Sequence, residues 1–284
     1  MNWIMLISVV CGISMQQISQ KIYSTRNGGG NFVFSAVSAL CAMLFFLAAS
    51  GGELSFKAEI LTYSLAFAVA YAASIIGLFL AIKSGPLSLT SLFTSYSLII
   101  PTAYGIVILN EPIDMFVVLG IVLLLISLSL VNGNSQDKEK RVSVKWILFV
   151  LLSFVGNGLC TVIQKIQQQN FAGEYKSEFM IVALGAVAIM LGILTLVSDK
   201  KVWKSSLKSA GVWCALCGLC NGLVNLLVML LTNRMNVSIM FPLISAGGIV
   251  VTFIVSQCVY KENLSLKQKA GVLLGILAVI ALNL

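Results

Sequence analysis

Residues 114–131, DMFVVLGIVLLLISLSLV, and residues 144–168, VKWILFVLLSFVGNGLCTVIQKIQQ, are two apolar runs on either side of the polar segment NGNSQDKEKRVS at 132–143. A helix needs roughly 20 apolar residues to cross the hydrocarbon of a bilayer, and both runs are about that long. The segment between them carries charges of both signs and does not belong in hydrocarbon. This stretch therefore predicts two membrane-spanning helices joined by a polar linker near the middle of the chain.

The same pattern of long apolar runs and short polar loops extends to both ends of the 284 residues, which are 59% hydrophobic and 10% charged. Such a chain has too few polar side chains to cover a soluble domain. We predict an all-α integral membrane protein with ten transmembrane helices, at 2–23, 32–50, 60–83, 87–109, 114–131, 144–168, 178–197, 210–233, 237–259 and 265–283. The first run lacks a basic amino-terminal region, so we interpret it as a retained span and not as a signal peptide.

The two halves of the chain repeat each other. Gln20-Lys21-Ile22 recurs as Gln164-Lys165-Ile166, and Glu111 and Gly120 recur, at equal spacing, as Glu262 and Gly271. An odd number of spans in each half gives the halves opposite orientations in the membrane. We therefore predict two inverted-topology five-helix repeats, at 1–131 and 144–284, with the polar linker at 132–143.

Each half ends with an apolar span, a glutamate, a short turn and a final span that carries a glycine. In the second half, Ser265 and Gln268 have the spacing of a capping box that opens the last helix. With these motifs the chain resembles the drug/metabolite transporter (DMT) superfamily, in particular its ten-span EamA-like transporters. The resemblance covers essentially the whole chain, and Pro112 after the first glutamate departs from the usual motif. It implies a transporter whose central cavity is lined mainly by spans one, three, four, six, eight and nine, with the fifth and the tenth packed outside.

Polar side chains within the apolar runs are the candidate substrate contacts, because a polar group in hydrocarbon either pairs with another helix or faces a cavity. Asn221 and Asn225 share one helix face, as do Gln16 and Gln20. The candidate cavity residues are Gln16, Gln20, Lys21, Tyr71, Ser74, Ser95, Tyr96, Asn157, Gln164, Lys165, Asn221, Asn225 and Ser245. The alternative for each amide is a structural hydrogen bond between helices, and the alternative for each lysine is to extend to the lipid headgroups.

The acidic residues all lie in predicted loops or at the ends of predicted spans. An exporter that couples cationic drugs to protons generally needs a carboxylate inside the membrane, and the chain has no histidine to relay a proton. The sequence therefore favours a neutral, zwitterionic or anionic metabolite, such as an amino acid or related solute, moved by exchange or facilitated diffusion.

Backbone-weakening residues in the fourth and ninth spans are the candidate gates. Pro101 lies in the fourth span, and Pro242, Gly247 and Gly248 lie in the ninth; the alternative is a static kink. In the tenth span, Gly271 and Gly275 form a G-x-x-x-G face for close packing, either within the molecule or in a homodimer.

Neither a cofactor nor a metal site is predicted. Cys214, Cys217 and Cys220 have a suggestive spacing, but on a helix they spread over a broad face, and we interpret them as packing residues. Membrane topology and contact with anionic lipid account for the net charge of +8, so this charge does not indicate a nucleic-acid partner. The distribution of basic residues places both termini outside the cell, whereas the family resemblance implies that they are cytoplasmic, so the orientation stays open.

We expect a secondary transporter, a monomer or homodimer, in the cell (plasma) membrane. The alternatives within transport are a flippase for an amphiphilic lipid carrier and a multidrug-type exporter. An intramembrane enzyme would need a nucleophile with a base or a metal cluster, which the predicted spans do not supply. A membrane scaffold leaves the polar residues of the spans unexplained.

Overall fold

The structure, a computed structural model, describes residues 2–27, 30–84, 90, 93–132, 143–199, 203–258 and 265–282. These residues form helices and connecting turns, and no strand occurs among them. The helices are α1 Asn2–Asn27, α2 Asn31–Ala49, α3 Ala58–Ser84, α4 Ile99–Val107 with a 3₁₀ turn Tyr96–Leu98 before it, α5 Met115–Asn132, α6 Val144–Asn170, α7 Lys176–Ser198, α8 Trp203–Thr232, α9 Val237–Cys258 and α10 Leu266–Ala281.

The all-helical class is confirmed, and each predicted span overlaps one of these helices. The fourth overlaps least, since α4 begins at Ile99 and its span was predicted from 87. Within the described residues, six helical segments are long and apolar enough to cross a membrane: Asn2–Tyr23, Asn31–Ala49, Ala58–Ser84, Val144–Asn170, Lys176–Ser198 and Ala210–Thr232. The helical stretches Phe93–Val107, Met115–Leu130 and Val237–Gly248 are apolar but shorter. Ten crossings therefore remain a prediction. The predicted linker lies almost wholly outside the described residues.

Helix α8 differs from its predicted span, since it begins at Trp203 and not at 210. The backbone at Ala210 is non-helical, with φ −143 and ψ 16, so a short segment bearing Lys204 and Lys208 precedes the apolar part of the helix. The polar composition of this segment excluded it from the span prediction.

The chain divides into two compact units that do not coincide with its two halves. The first unit comprises Met1–Ala72 and Ile163–Asn233, and the second comprises Ala73–Val162 and Arg234–Leu284. Both halves of the sequence thus contribute to each unit, and α3 and α6 each have residues in both. The repeat boundaries at 131 and 144 stay a prediction.

In the first unit, α2 packs against both α7 and α8. The contact with α8 is close because its small residues Cys214, Gly218 and Gly222 lie one turn apart on one face. A Cβ added at Gly218 would overlap the Ser38 carbonyl oxygen and lie 2.6 Å from Cys41 Cβ, and one at Gly222 would lie 2.6 Å from the Phe45 ring. The face of α8 formed by these small residues therefore sets the distance between the two helices. Cys41 and Cys214 pack there as small apolar residues.

Helix α7 has one buried face and one exposed apolar face. Phe179, Ala183, Val187 and Leu191 are fully buried at helical spacing, whereas Ile193 is 58% exposed and Val197 75% exposed on the other side. Apolar side chains this exposed would aggregate in water, and lipid is the solvent that suits them.

In the second unit, α5 packs antiparallel to α10. Ser127 Oγ donates to the Gly271 carbonyl oxygen at 2.5 Å, and a Cβ on Gly120 would lie 2.6 Å from Leu282. Gly271 of the predicted G-x-x-x-G face thus contacts α5 of the same chain. The predicted capping box is present, with Gln268 N–H bonded to Ser265 Oγ and Ser265 N–H bonded to Gln268 Oε1.

We expect Gly218→Ala to lower the thermal unfolding midpoint in detergent, because the added methyl group meets backbone that cannot move aside. Overpacking of this kind typically costs about 1–3 kcal/mol. Gly192→Ala in α7 is the matched control, since nothing lies within 4 Å of the added Cβ. Equal midpoints for the two variants would exclude the close α2–α8 contact.

Candidate functional site

Four side-chain amides in the first unit form a continuous chain of hydrogen bonds between three helices. Asn221 Nδ2 donates to Gln16 Oε1 at 3.2 Å. Asn225 Nδ2 donates to Asn221 Oδ1 at 3.0 Å and to its backbone oxygen at 2.8 Å. Gln164 Nε2 donates to Asn225 Oδ1 at 2.7 Å. We call Gln16, Asn221, Asn225 and Gln164 the carboxamide chain; all four are residues that the sequence analysis selected.

The helices bring these amides together through a close contact of α1 with α8. The two helices run antiparallel, and a Cβ on Gly12 would lie 2.6 Å from Val224, so α1 approaches near the asparagines. Asn221 and Asn225 are one turn apart on α8 and face the same way. Gln164 reaches them from α6.

The carboxamide chain passes from a half-buried end to a buried end. Gln16, Asn221 and Asn225 are partly exposed, whereas Gln164 is only 2% exposed. Every member is uncharged and has both donor and acceptor atoms. The arrangement can therefore bind a solute that offers hydrogen-bond donors or acceptors without burying an unpaired charge.

Beyond Gln164 on α6, polar residues tie the end of that helix to α8. Lys165 is 8% exposed, and its Nζ donates to the carbonyl oxygen of Thr232, the last residue of α8. A cation is favourable there because the carboxyl end of a helix is electronegative. Asn233 Nδ2 donates to Gln168 Oε1 at 3.1 Å. Lys165 thus contacts a helix end, a role that the sequence analysis did not anticipate for it.

The turn after α6 completes this end of the first unit. Gly173 has φ +81, a conformation that favours glycine, and its N–H bonds the Gln168 carbonyl at 2.8 Å. Asn170 Nδ2 donates to the Tyr63 hydroxyl at 2.7 Å.

Lys57 lies outside the spans with its Nζ 4.9 Å from the centre of the Tyr175 ring, and its hydrogen bond with Tyr175 raises the pKa of the ammonium group.

Three further candidates of the first unit lie outside the carboxamide chain. Gln20 and Lys21 are exposed on α1. Tyr71 is half-buried and stacks on Phe67, with 5.8 Å between ring centres.

The remaining candidates belong to the second unit. Asn157 Nδ2 donates to Ser97 Oγ at 2.6 Å. The Tyr96 hydroxyl donates to the Leu125 carbonyl at 2.9 Å and also contacts the Ser129 hydroxyl, so its polar end is held by α5. Ser74, Ser95 and Ser245 are half-buried, as are Gly247 and Gly248, whereas Pro101 and Pro242 are buried.

Carboxylates that the structure describes at helix ends accept backbone N–H bonds there. Glu111 accepts from Val237 and Ser238 at the start of α9, and Asp199 accepts from Phe32 and Val33 at the start of α2. Asp114 accepts from Val117, and Glu178 accepts from Ser55. The sequence placed these residues near helix ends but did not reveal their partners. The recurrence of Glu111 as Glu262 was the one sequence signal that Glu111 has a structural role. Glu262 itself lies outside the described residues.

The described part of the chain contains no group of three or more cysteine or acidic side chains arranged to hold a metal ion. Cys214 and Cys217 are buried against Phe34 and Tyr23 in an apolar cluster.

Comparison with known proteins gives a family and a fold. The model of the EamA-like transporter family matches residues 144–284, which are also the residues of the predicted second repeat. No curated protein matches the sequence. A solved structure, described only as a crystal structure of a protein, aligns over 99% of this chain and 95% of its own, with a TM-score of 0.82 and 12% sequence identity. At that identity the likeness concerns the fold alone.

We expect the Gln164–Asn225 hydrogen bond to give a measurable coupling energy in a double-mutant cycle. Asn225→Leu alone leaves the buried Gln164 amide without this acceptor, and Gln164→Leu alone removes the donor to Asn225 Oδ1, whereas the double variant removes both groups. Unfolding free energies in detergent should show a coupling of about 0.6 kcal/mol, the average for such bonds in a membrane protein, and at most about 1.7 kcal/mol. Strict additivity would mean that the bond contributes nothing.

Proposed function

Because the chain belongs to the EamA-like transporter family, we propose that it is a secondary transporter that moves a small metabolite through a polar cavity by alternating access. Members of this family are membrane transporters and not enzymes, and the chain is an integral multi-pass membrane protein of the DMT superfamily.

The observation that carries the proposal is the carboxamide chain. Three of its four members are half-buried, and they come from α1 and α8. A purely structural set of amides inside hydrocarbon would be expected to be fully enclosed, since exposed polar groups find no partner in lipid. Partial exposure supports contact with water or with a polar solute.

The positions of the carboxylates support a neutral, zwitterionic or anionic substrate. Glu111, Asp114 and Asp199 are engaged by backbone N–H groups at helix ends, and Glu178 by the N–H of Ser55 in the loop before α3. A proton-coupled exporter of cations would need a carboxylate among the substrate contacts. The carboxamide chain contains none, so we propose exchange or facilitated movement of a solute such as an amino acid.

Helix pairing supports the inverted repeat. A five-helix repeat makes α2 equivalent to α7, α4 to α9 and α5 to α10, and a two-fold axis in the membrane plane requires each such neighbouring pair to be antiparallel. In α5–α10, Gly120 lies near Leu282 and Ser127 bonds Gly271.

The helices of the other two equivalent pairs also run antiparallel to each other. In α2–α7, Val33 N–H bonds Asp199, and the added Cβ of Gly185 would contact Met43. In α4–α9, Gly105 lies near Ser238, while Leu98 and Ala246 share a cluster. All three pairs are antiparallel, as the proposed symmetry requires.

We expect Asn221→Ala and Gln16→Leu to reduce uptake of a pool of labelled amino acids into proteoliposomes by at least about tenfold, since each removes a hydrogen bond from the proposed site. Asn170→Ala is the matched control, because Asn170 bonds Tyr63 outside the carboxamide chain. Expression and thermal midpoint are measured in parallel. Normal uptake by both site variants would reassign these amides to structure.

We also expect the initial uptake rate to be insensitive to an imposed proton gradient. No carboxylate belongs to the carboxamide chain, so no group there is expected to exchange a proton with the substrate. The measurement compares proteoliposomes with equal pH on both sides against vesicles that are one unit more acidic outside, with the same internal pH. A rate that follows the gradient would exclude simple exchange or facilitated movement.

A further inference from the structure

Glu111, in the loop after α4, joins two helices that the sequence separates widely. Its Oε1 accepts the N–H of Val237 at 2.9 Å, and its Oε2 accepts the N–H of Ser238 at 2.8 Å. Its own N–H bonds the carbonyl oxygen of Gly105 in α4 at 3.1 Å. One carboxylate therefore caps the start of α9 while its backbone stays fixed to the end of α4.

Gly105 makes room for this arrangement. A Cβ at this position would lie 2.5 Å from Glu111 Oε2 and 3.1 Å from the backbone nitrogen of Ser238. The absence of a side chain thus allows the end of α4, the carboxylate and the first turn of α9 to meet at one point. We call Gly105, Glu111, Val237 and Ser238 the α4–α9 clamp.

The first turn of α9 has two bonds to the clamp and lacks one of the usual bonds to the rest of its own helix. Pro242 has no N–H, so the Ser238 carbonyl lacks the helical bond that a different residue would donate. The Ser238 hydroxyl is buried and has no hydrogen-bond partner among the described residues. The structure thus gives a charged partner, Glu111, to the Ser238 N–H.

Helix α4 is weakened at the same level as α9. Gly105 lies opposite Ser238, and Leu98 shares a cluster with Ala246, so the antiparallel register places Pro101 level with Pro242. The 3₁₀ turn Tyr96–Leu98 precedes Pro101, and such turns inside a helical segment often mark hinges. Both helices can therefore bend at one level, and the clamp lies to one side of it.

We propose that Glu111 is a positioning residue that keeps the first turn of α9 on the end of α4, so that this pair bends at the level of Pro101 and Pro242 as one hinge. The consequence for turnover rests on the proposed transport function. The contact itself does not, and the two are tested separately.

The contact is tested by hydrogen–deuterium exchange of the detergent-solubilised protein. Glu111→Ala should speed exchange of the Val237 and Ser238 amides by roughly tenfold, since each loses its bond to a charged group. Glu111→Gln retains one acceptor oxygen and should protect one of the two amides. Gly105→Ala, which pushes the carboxylate aside, should reproduce the Glu111→Ala result if that variant is poorly expressed.

Asp114→Ala is the matched control. It removes the same charge from the same loop, but the bond that the structure gives for Asp114 caps its own helix, through Val117. Unchanged exchange at Val237 and Ser238 in Glu111→Ala would overturn the proposal, as would faster exchange across all helices, which indicates a general loss of stability.

The transport arm uses the labelled amino-acid pool in proteoliposomes. Glu111→Ala should lower the maximal rate about tenfold or more while the half-saturating concentration changes less than about twofold, because the binding residues are intact. Asp114→Ala should leave both values unchanged. A wild-type maximal rate in Glu111→Ala would overturn the role in turnover. If the wild-type protein moves no amino acid, the proposed substrate class fails while the exchange result still decides the clamp.

Discussion

A polar group in hydrocarbon must find its partner within the protein, and this constraint governs each part of the structure. It makes the apolar runs helical, because a helix satisfies its own backbone. It also leaves the ends of each helix with unpaired N–H and carbonyl groups. The acidic side chains Glu111, Asp114 and Asp199 and the cation Lys165 are placed where those ends occur. These four charges therefore lie at helix termini, whereas the carboxamide chain, which lies within the helices, is neutral.

The carboxamide chain answers the same constraint in another way. Its members pair with each other, so none of these four amides lacks a partner, yet Gln16, Asn221 and Asn225 stay partly exposed. A carboxamide can keep one hydrogen bond inside the protein and offer a second donor or acceptor to a solute. A charged residue in the same place would favour one sign of substrate. The neutrality of the chain is therefore what connects its geometry to the proposed range of solutes.

Much of the fold followed from the sequence because the membrane makes the pattern simple. Long apolar runs separated by glycine, proline and charge predicted most helix bounds to within a few residues; α4, which begins at Ile99, and α8 are the exceptions. The polar start of α8 before Ala210 did not follow, since a polar segment at the edge of a span has no apolar signature. The assignment of residues to two compact units also could not be read from the chain, because it depends on contacts between helices distant in sequence.

The candidate site was predictable as a set of residue types but not as an arrangement. The rarity of amides in apolar runs identified Gln16, Gln164, Asn221 and Asn225. The same criterion selected Tyr96, which is not part of the carboxamide chain and whose hydroxyl bonds α5. The sequence does not show where a side chain points. The packing face Cys214, Gly218 and Gly222 has a small-residue period that a search for close-packing motifs would have found. The partners of Glu111 and Asp199 lie more than a hundred residues away, and no local pattern reveals them.

The central claim is that the carboxamide chain faces a path through the membrane that opens to each side in turn. Thiol labelling of Gln16→Cys, in a variant whose native cysteines are replaced by serine or alanine, tests it most directly. The protein is placed in sealed vesicles, and a membrane-impermeant maleimide is applied from the outside or trapped inside. Alternating access predicts that the cysteine is modified from both sides. A cysteine modified from neither side, or always from the same one, would contradict the claim and leave the amides as packing contacts.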